Sequence, residues 1–187
     1  MKTLILNGSP HQNGDTAALL AELKKELGGE FVEIDAYRAK IAPCVDCRAC
    51  WKKPGCVIKD EMDQVYRAMD DCDAVVVASP IYFSMLTGPL LSLASRLQAI
   101  YTAGRFLKVN LRGRKKAGGV LMAGGGDGSF HKALEMAECM LRFMGAASEG
   151  YAAALHTDAC PAAQDEEALE AVRALARKIR ERIEEEK

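Results

Sequence analysis

The stretch APCVDCRACWKKPGCVIKDEMD, residues 42–63, carries four of the chain's seven cysteines, at Cys44, Cys47, Cys50 and Cys56. Three recur at a strict spacing of three, and the fourth follows the Pro54-Gly55 turn. Thiolates spaced this way can wrap one side of an iron-sulfur cubane while a fourth reaches in after a turn. Four thiolates also satisfy a tetrahedral zinc ion, although structural zinc usually draws on two separated pairs. A loop that keeps its cysteines without metal is the third reading. The odd total argues against a full disulfide framework, and in a reducing compartment clustered thiols are more often metal or redox groups. Cys72, Cys139 and Cys160 stand apart and are expected to pack as small apolar groups. His11, His131 and His156 are scattered, so no catalytic pairing with a cysteine emerges.

Two other stretches carry chemistry. NGSPHQNGDT, residues 7–16, places Gly8 and Gly14 ahead of Thr16, but it has one residue too many between the glycines for a triphosphate loop. Asp15 also stands where that loop needs lysine, so ATP is not expected. What remains is Ser9, Gln12, Asn13 and Thr16 with free N–H groups at a helix start, which suits one phosphate dianion. The plainer reading is that Ser9 and Thr16 cap the helix. In SPIYFSMLTG, residues 79–88, Pro80, Ile81, Tyr82 and Phe83 follow a strand. Exposed there, they are costly unless something flat and apolar, such as a flavin ring, covers them; the alternative is that both aromatics fold back into the core. Third comes AGGGDGS, where Gly124, Gly125 and Gly126 let backbone approach a ligand or simply make a flexible turn.

The elements that must position these loops follow from apolar patterning. KTLILNG, EFVEIDA, DAVVVASP, KKAGGVLMAGGG and EGYAAAL read as five strands. Between them TAALLAELKKELGG, EMDQVYRAMDD, GPLLSLASRLQAIY and SFHKALEMAECMLRFMG read as helices, and a fifth runs from about Asp165 to the end. Leu19, Leu20, Leu23 and Leu27 share one face of the first helix, and Leu169, Val172, Leu175, Ile179 and Ile183 one stripe of the last. Such alternation predicts an α/β doubly wound parallel sheet in the order 2-1-3-4-5 with helices on both faces. The loops after strands one and three then diverge to open a crevice. The cysteine loop after strand two emerges on the same rim, and a loop this long needs a functional reason. One domain over 1–187 is expected, with residues 42–60 as an inserted loop.

The 25 basic and 26 acidic residues leave a net charge of −1, which gives no field for nucleic acid or a membrane surface. No segment has the length of a bilayer span, and MKTLILNGSP lacks the regions of a signal peptide, so a cytoplasmic protein is expected.

LNGSPHQNGDT, PCVDCRACWKKPGCVIKDEMD and SPIYFSMLTGPLLSLASRLQ together resemble the flavodoxin-like NAD(P)H-dependent FMN reductase superfamily, and within it the iron-sulfur flavoproteins. The likeness covers about residues 3–126. It implies that Ser9, Gln12, Asn13 and Thr16 hold the FMN phosphate and that Pro80, Ile81, Tyr82 and Phe83 line the isoalloxazine. Gly124 and Gly125 would approach its polar edge, and Cys44, Cys47, Cys50 and Cys56 would hold a [4Fe-4S] cluster feeding electrons to FMN. It further implies a flavin-dependent oxidoreductase, NAD(P)H or a ferredoxin as electron donor, and a homodimer or homotetramer. A cluster-free NAD(P)H-dependent FMN or quinone reductase is the alternative within the class; a zinc-stabilised flavodoxin-like binding module lies outside it.

Overall fold

Apolar runs that alternate across a pleat become the strands β1 (Lys2–Asn7), β2 (Glu30–Asp35), β3 (Ala74–Pro80), β4 (Lys116–Gly124) and β5 (Ala146–Leu155). The computed structural model describes residues 1–126 and 128–186; Asp127, inside AGGGDGS, and Lys187, the last residue of the chain, lie outside the described residues. All four strand pairings are parallel and the order is β2-β1-β3-β4-β5, as the patterning predicts. The fold is flavodoxin-like. Parallel pairing puts the carboxyl ends of β1, β2, β3 and β4 on one edge, so the loops that follow them leave from a common rim.

Around the sheet lie α1 (Asp15–Leu27), α2 (Met62–Asp71), α3 (Gly88–Ser95), α4 (Gln98–Thr102), α5 (His131–Phe143) and α6 (Glu166–Glu185). Successive strand residues face opposite layers. Leu4, Leu6, Val75, Val77, Val120 and Met122 pack with α2, α3 and α5 on one side. Ile5, Val76 and Leu121 pack with α1 and α6 on the other. Leu19, Leu20, Leu23 and Leu27 are buried there, as are Val172, Leu175, Ile179 and Ile183; Leu169 is half-buried.

The structure departs from the sequence pattern in two places. GPLLSLASRLQAIY is expected to be one helix, but it breaks into α3 and α4. At the break Arg96 N–H donates to the Leu93 carbonyl and Leu97 N–H to that of Ala94, both at 3.0 Å, which tightens the turn to a 3₁₀ pattern. The Arg96 carbonyl accepts the Tyr66 hydroxyl at 2.8 Å as well as Ala99 N–H at 3.3 Å; the first is a tertiary contact from α2 that local helix propensity cannot foretell. β5 also starts earlier than EGYAAAL suggests, at Ala146. Its pairing with β4 shifts register between Gly118 and Val120, and Gly150 (φ +125°) takes up the irregularity.

Candidate functional site

The rim is assembled by a chain of backbone bonds between loops. Gly8 N–H donates to the Ala78 carbonyl at 2.7 Å, and the Thr87 hydroxyl donates to the Gly8 carbonyl at 2.8 Å, tying the loop after β1 to the loop after β3. Ile81 N–H reaches the Ala123 carbonyl at 2.8 Å, and Thr157 N–H the Gly124 carbonyl at 2.9 Å. The three glycine- and proline-marked loops are thus brought together, with residues after β5 as a fourth member. Sequence patterning gave no signal for Thr157 or Asp158. Yet a Cβ at Gly125 would collide with the Asp158 carboxylate, so that group sits directly against the glycine's backbone.

In the first loop Ser9 and Thr16 are buried, while Gln12 and Asn13 are exposed. Ser9 does not cap α1: its hydroxyl donates to the His11 carbonyl at 3.1 Å and shapes the loop. Gly14 is the N-cap and supplies no side chain, so the first turn of α1 has no side-chain cap. Asp15 turns away from this end, and its Oδ1 accepts Ala162 N–H at 2.8 Å across the sheet face. A carboxylate that would repel an anion is thereby occupied elsewhere. Gln12, with His11, Lys24, Glu33 and Asp35, borders a separate hollow of about 300 Å³ beside β2.

The loop after β3 carries its aromatics outward. Pro80 and Ile81 are half-buried, Tyr82 is 44% exposed and Phe83 fully exposed, so the alternative in which both aromatics fold back into the core does not hold. Phe83 (φ +51°) and Ser84 (φ +63°) both occupy the left-handed region, held by the mutual bonds of Tyr82 and Met85 at 3.0 Å. An aromatic residue held strained and solvent-facing is a feature of binding loops more than of packing.

The cysteine loop runs between β2 and α2 and is clamped at both ends by Arg96, whose side chain is 0% exposed. Nη1 donates to the Ala42 carbonyl at 2.9 Å and to Asp60 Oδ2 at 2.6 Å; Nη2 donates to the Ile58 carbonyl and to Asp60 Oδ1, each at 3.2 Å. Asp60 Oδ2 also accepts Ala42 N–H at 3.0 Å. Cys44 N–H donates to Ser95 Oγ at 2.9 Å, and the Thr102 hydroxyl to the Cys50 carbonyl at 3.3 Å. Trp51 rests on Phe106, ring centroids 4.6 Å apart, beneath the Arg48 guanidinium. These anchors place the loop at the far end of α3, about 12 Å along that helix from Thr87 and the rim.

All four cysteines line one small hollow, together with Arg48, Trp51, Ile58 and Arg96. Cys44 and Cys47 are exposed, Cys50 and Cys56 half-buried. Among the described residues no three His, Cys, Asp or Glu side chains gather tightly enough to hold one metal ion. Among the described residues Arg96 Nε, which is buried, has no hydrogen-bond partner. Away from the loop, Cys72 is buried and burial pushes its thiol up to about 11, while Cys139 and Cys160 are half-buried.

A family model described as NADPH-dependent FMN reductase matches residues 1–159. Over 130 residues the chain is 38% identical to an iron-sulfur flavoprotein of Methanocaldococcus jannaschii, covering 68% of this chain and 63% of that one. Over 129 residues it is 30% identical to an iron-sulfur flavoprotein of Methanosarcina thermophila, covering 67% and 64%. The match thus spans less than two thirds of either relative's length. Among solved structures, an NAD(P)H:quinone oxidoreductase from Methanothermobacter marburgensis superposes with a TM-score of 0.67 at 16% identity, over 96% of this chain and 97% of that one. No helix among the described residues is long and apolar enough to cross a membrane.

Burial pushes the Asp60 carboxyl up, but Arg96 and the N–H groups of Ala42 and Met62 outweigh it and hold the group below the usual carboxylate range. A lowered folded-state value means that its stabilisation is complete above about pH 4, the unfolded value, and is lost as pH falls further. Asp60→Ala leaves the buried guanidinium unpaired and is expected to cost about 3 kcal/mol. Urea unfolding followed by the fluorescence of Trp51, the chain's one tryptophan, checks both points. The variant unfolds at lower urea at pH 7 and loses less stability than wild type on acidification; identical midpoints would show that the clamp contributes nothing.

Proposed function

Because the chain belongs to the NADPH-dependent FMN reductase family, we propose that it is an FMN-dependent oxidoreductase. In this reading Cys44, Cys47, Cys50 and Cys56 would hold a [4Fe-4S] cluster, which would supply single electrons to FMN. The observation that carries the cluster is the shared hollow: four thiols line one recess beside a buried guanidinium N–H that has no acceptor. Cysteine thiolates and the inorganic sulfides of a cluster are acceptors that such a donor suits. Zinc is the alternative on the same four thiolates, although structural zinc usually draws on two separated pairs of ligands.

FMN when bound supplies the redox chemistry, in hydride or single-electron steps. The chain's part is binding and shielding. Ser9, Gln12, Asn13 and Thr16, with the uncapped start of α1, hold the phosphate, and the diversion of Asp15 to Ala162 keeps a negative charge out of the way. Pro80, Ile81, Tyr82 and Phe83 line the ring, and the backbone of Gly124 and Gly125 meets its polar edge. No side-chain acid, base or nucleophile is assigned. Electrons enter from NAD(P)H or a one-electron donor of the ferredoxin kind.

The exposed Val45, Trp51, Val57, Phe83 and Phe106 leave apolar surface around both sites. A homodimer or homotetramer would cover it. Light scattering is expected to give at least twice the chain mass, and a monomer with FMN fully bound would contradict that assembly.

Asn13→Ala and Thr16→Ala are each expected to weaken FMN by about 1 kcal/mol and to leave riboflavin almost unchanged, since the loop's donors serve the phosphate. Fluorescence titration with both ligands decides this; equal losses would remove the phosphate assignment. Cys47→Ser is expected to lose the cluster and keep FMN, because serine is a harder ligand that iron-sulfur centres accept poorly. Cys139→Ser, on α5, is the control and keeps both. If Cys47→Ser retains full iron and sulfide, or wild type has none, the cluster-free flavin reductase takes its place.

A further inference from the structure

We propose that Arg96, besides clamping the cysteine loop, reserves its Nε–H for a sulfur atom of the group bound there and so raises that group's reduction potential. This rests on the cluster reading above.

The inference comes from counting donors. A guanidinium has five N–H groups. Four are used: one on Ala42, one on Ile58, and two on the oxygens of Asp60. The fifth, at Nε, is buried and unpartnered. A charged donor left without an acceptor in a low-dielectric site is among the costlier defects a fold can carry, so its persistence calls for a partner. Arg96 lines the same hollow as all four cysteines, and the Cys56 thiol is the sulfur that faces the guanidinium as an incipient acceptor, just outside hydrogen-bond distance of Nε. A thiolate or sulfide there is an acceptor whose negative charge grows on reduction. A donor fixed beside it therefore stabilises the reduced state more than the oxidised one, and the potential rises.

Asp60 sharpens the inference. It neutralises the guanidinium at the Nη edge through a bidentate pair, so the influence of Arg96 on the hollow is that of one oriented hydrogen bond more than that of a bare cation. Lysine cannot reproduce this arrangement. A point ammonium lacks the fork for Asp60 and the separate Nε edge. Arg48 also borders the hollow, but it is exposed and paired with Asp46, which makes it the comparison residue.

The test uses the full chain, purified anaerobically, with arginine labelled with ¹⁵N at Nε. Iron and sulfide are counted first. Their absence from wild type overturns the cluster reading and this inference with it. With a full cluster present, pulsed EPR of the reduced protein is expected to detect a ¹⁵N coupling that survives Arg48→Lys. Absence of the coupling, or its loss in Arg48→Lys, overturns the inference and leaves the cluster reading intact. This arm needs no change at Arg96 and is immune to a folding defect. In Arg96→Lys that keeps its iron, the reduced state is expected to lose about tenfold of its relative stabilisation, a fall in midpoint potential of about 59 mV for a one-electron couple. An unchanged potential in that variant also overturns the inference.

Discussion

The buried pair of Arg96 and Asp60 decides whether the cysteine stretch is a site or a tether. Without it, the residues between β2 and α2 would form a long polar loop fixed mainly by Cys44 at Ser95 and Cys50 at Thr102. With it, Ala42 and Ile58 are pinned to one guanidinium, and everything between them must close into a lobe against α3 and α4. Removing either partner of such a pair is far more damaging than never having buried it, because a lone charge then stays in the interior. The break between α3 and α4 belongs to the same arrangement. It turns the Arg96 carbonyl toward the Tyr66 hydroxyl at the very residue whose side chain holds the loop.

The sheet positions a second set of groups by topology. Parallel pairing in the order β2-β1-β3-β4-β5 sends the loops after β1 and β3 to opposite faces at one edge, and bonds from Gly8, Thr87, Ile81 and Thr157 fasten the rim. The rim and the cysteine lobe differ in how they are built. The rim spends backbone strain at Phe83 and Ser84 to hold apolar surface outward, whereas the cysteine lobe is held by a charged fork in the interior. They share no residue, and the length of α3 separates them.

Much of this was legible in the sequence. The strands followed from apolar runs, because burial on both faces of a parallel sheet leaves a strong pattern, and their order from the arrangement that five-stranded doubly wound sheets commonly take. The exposure of Tyr82 and Phe83 was legible as a cost that needed a reason. Arg96 was not, since its meaning lies in a partner 36 residues away and in two carbonyls, neither of which has a periodic signature. Asp15 was readable only as a missing lysine; its bond to Ala162, 147 residues on, comes from the tertiary fold. Asp158 against Gly125 is of the same kind, visible only once β4 and β5 lie side by side. Expecting Ser9 and Thr16 as caps failed because Gly14 ends the loop first.

The central claim is that one chain carries both a flavin and an iron-sulfur centre on separate sites. It is tested most directly by the absorption spectrum of anaerobically purified wild type, with iron, sulfide, zinc and FMN measured on the same sample. About four iron and four sulfide per chain beside one FMN is the expected result. A preparation that binds FMN fully yet contains zinc, or no metal at all, would contradict it.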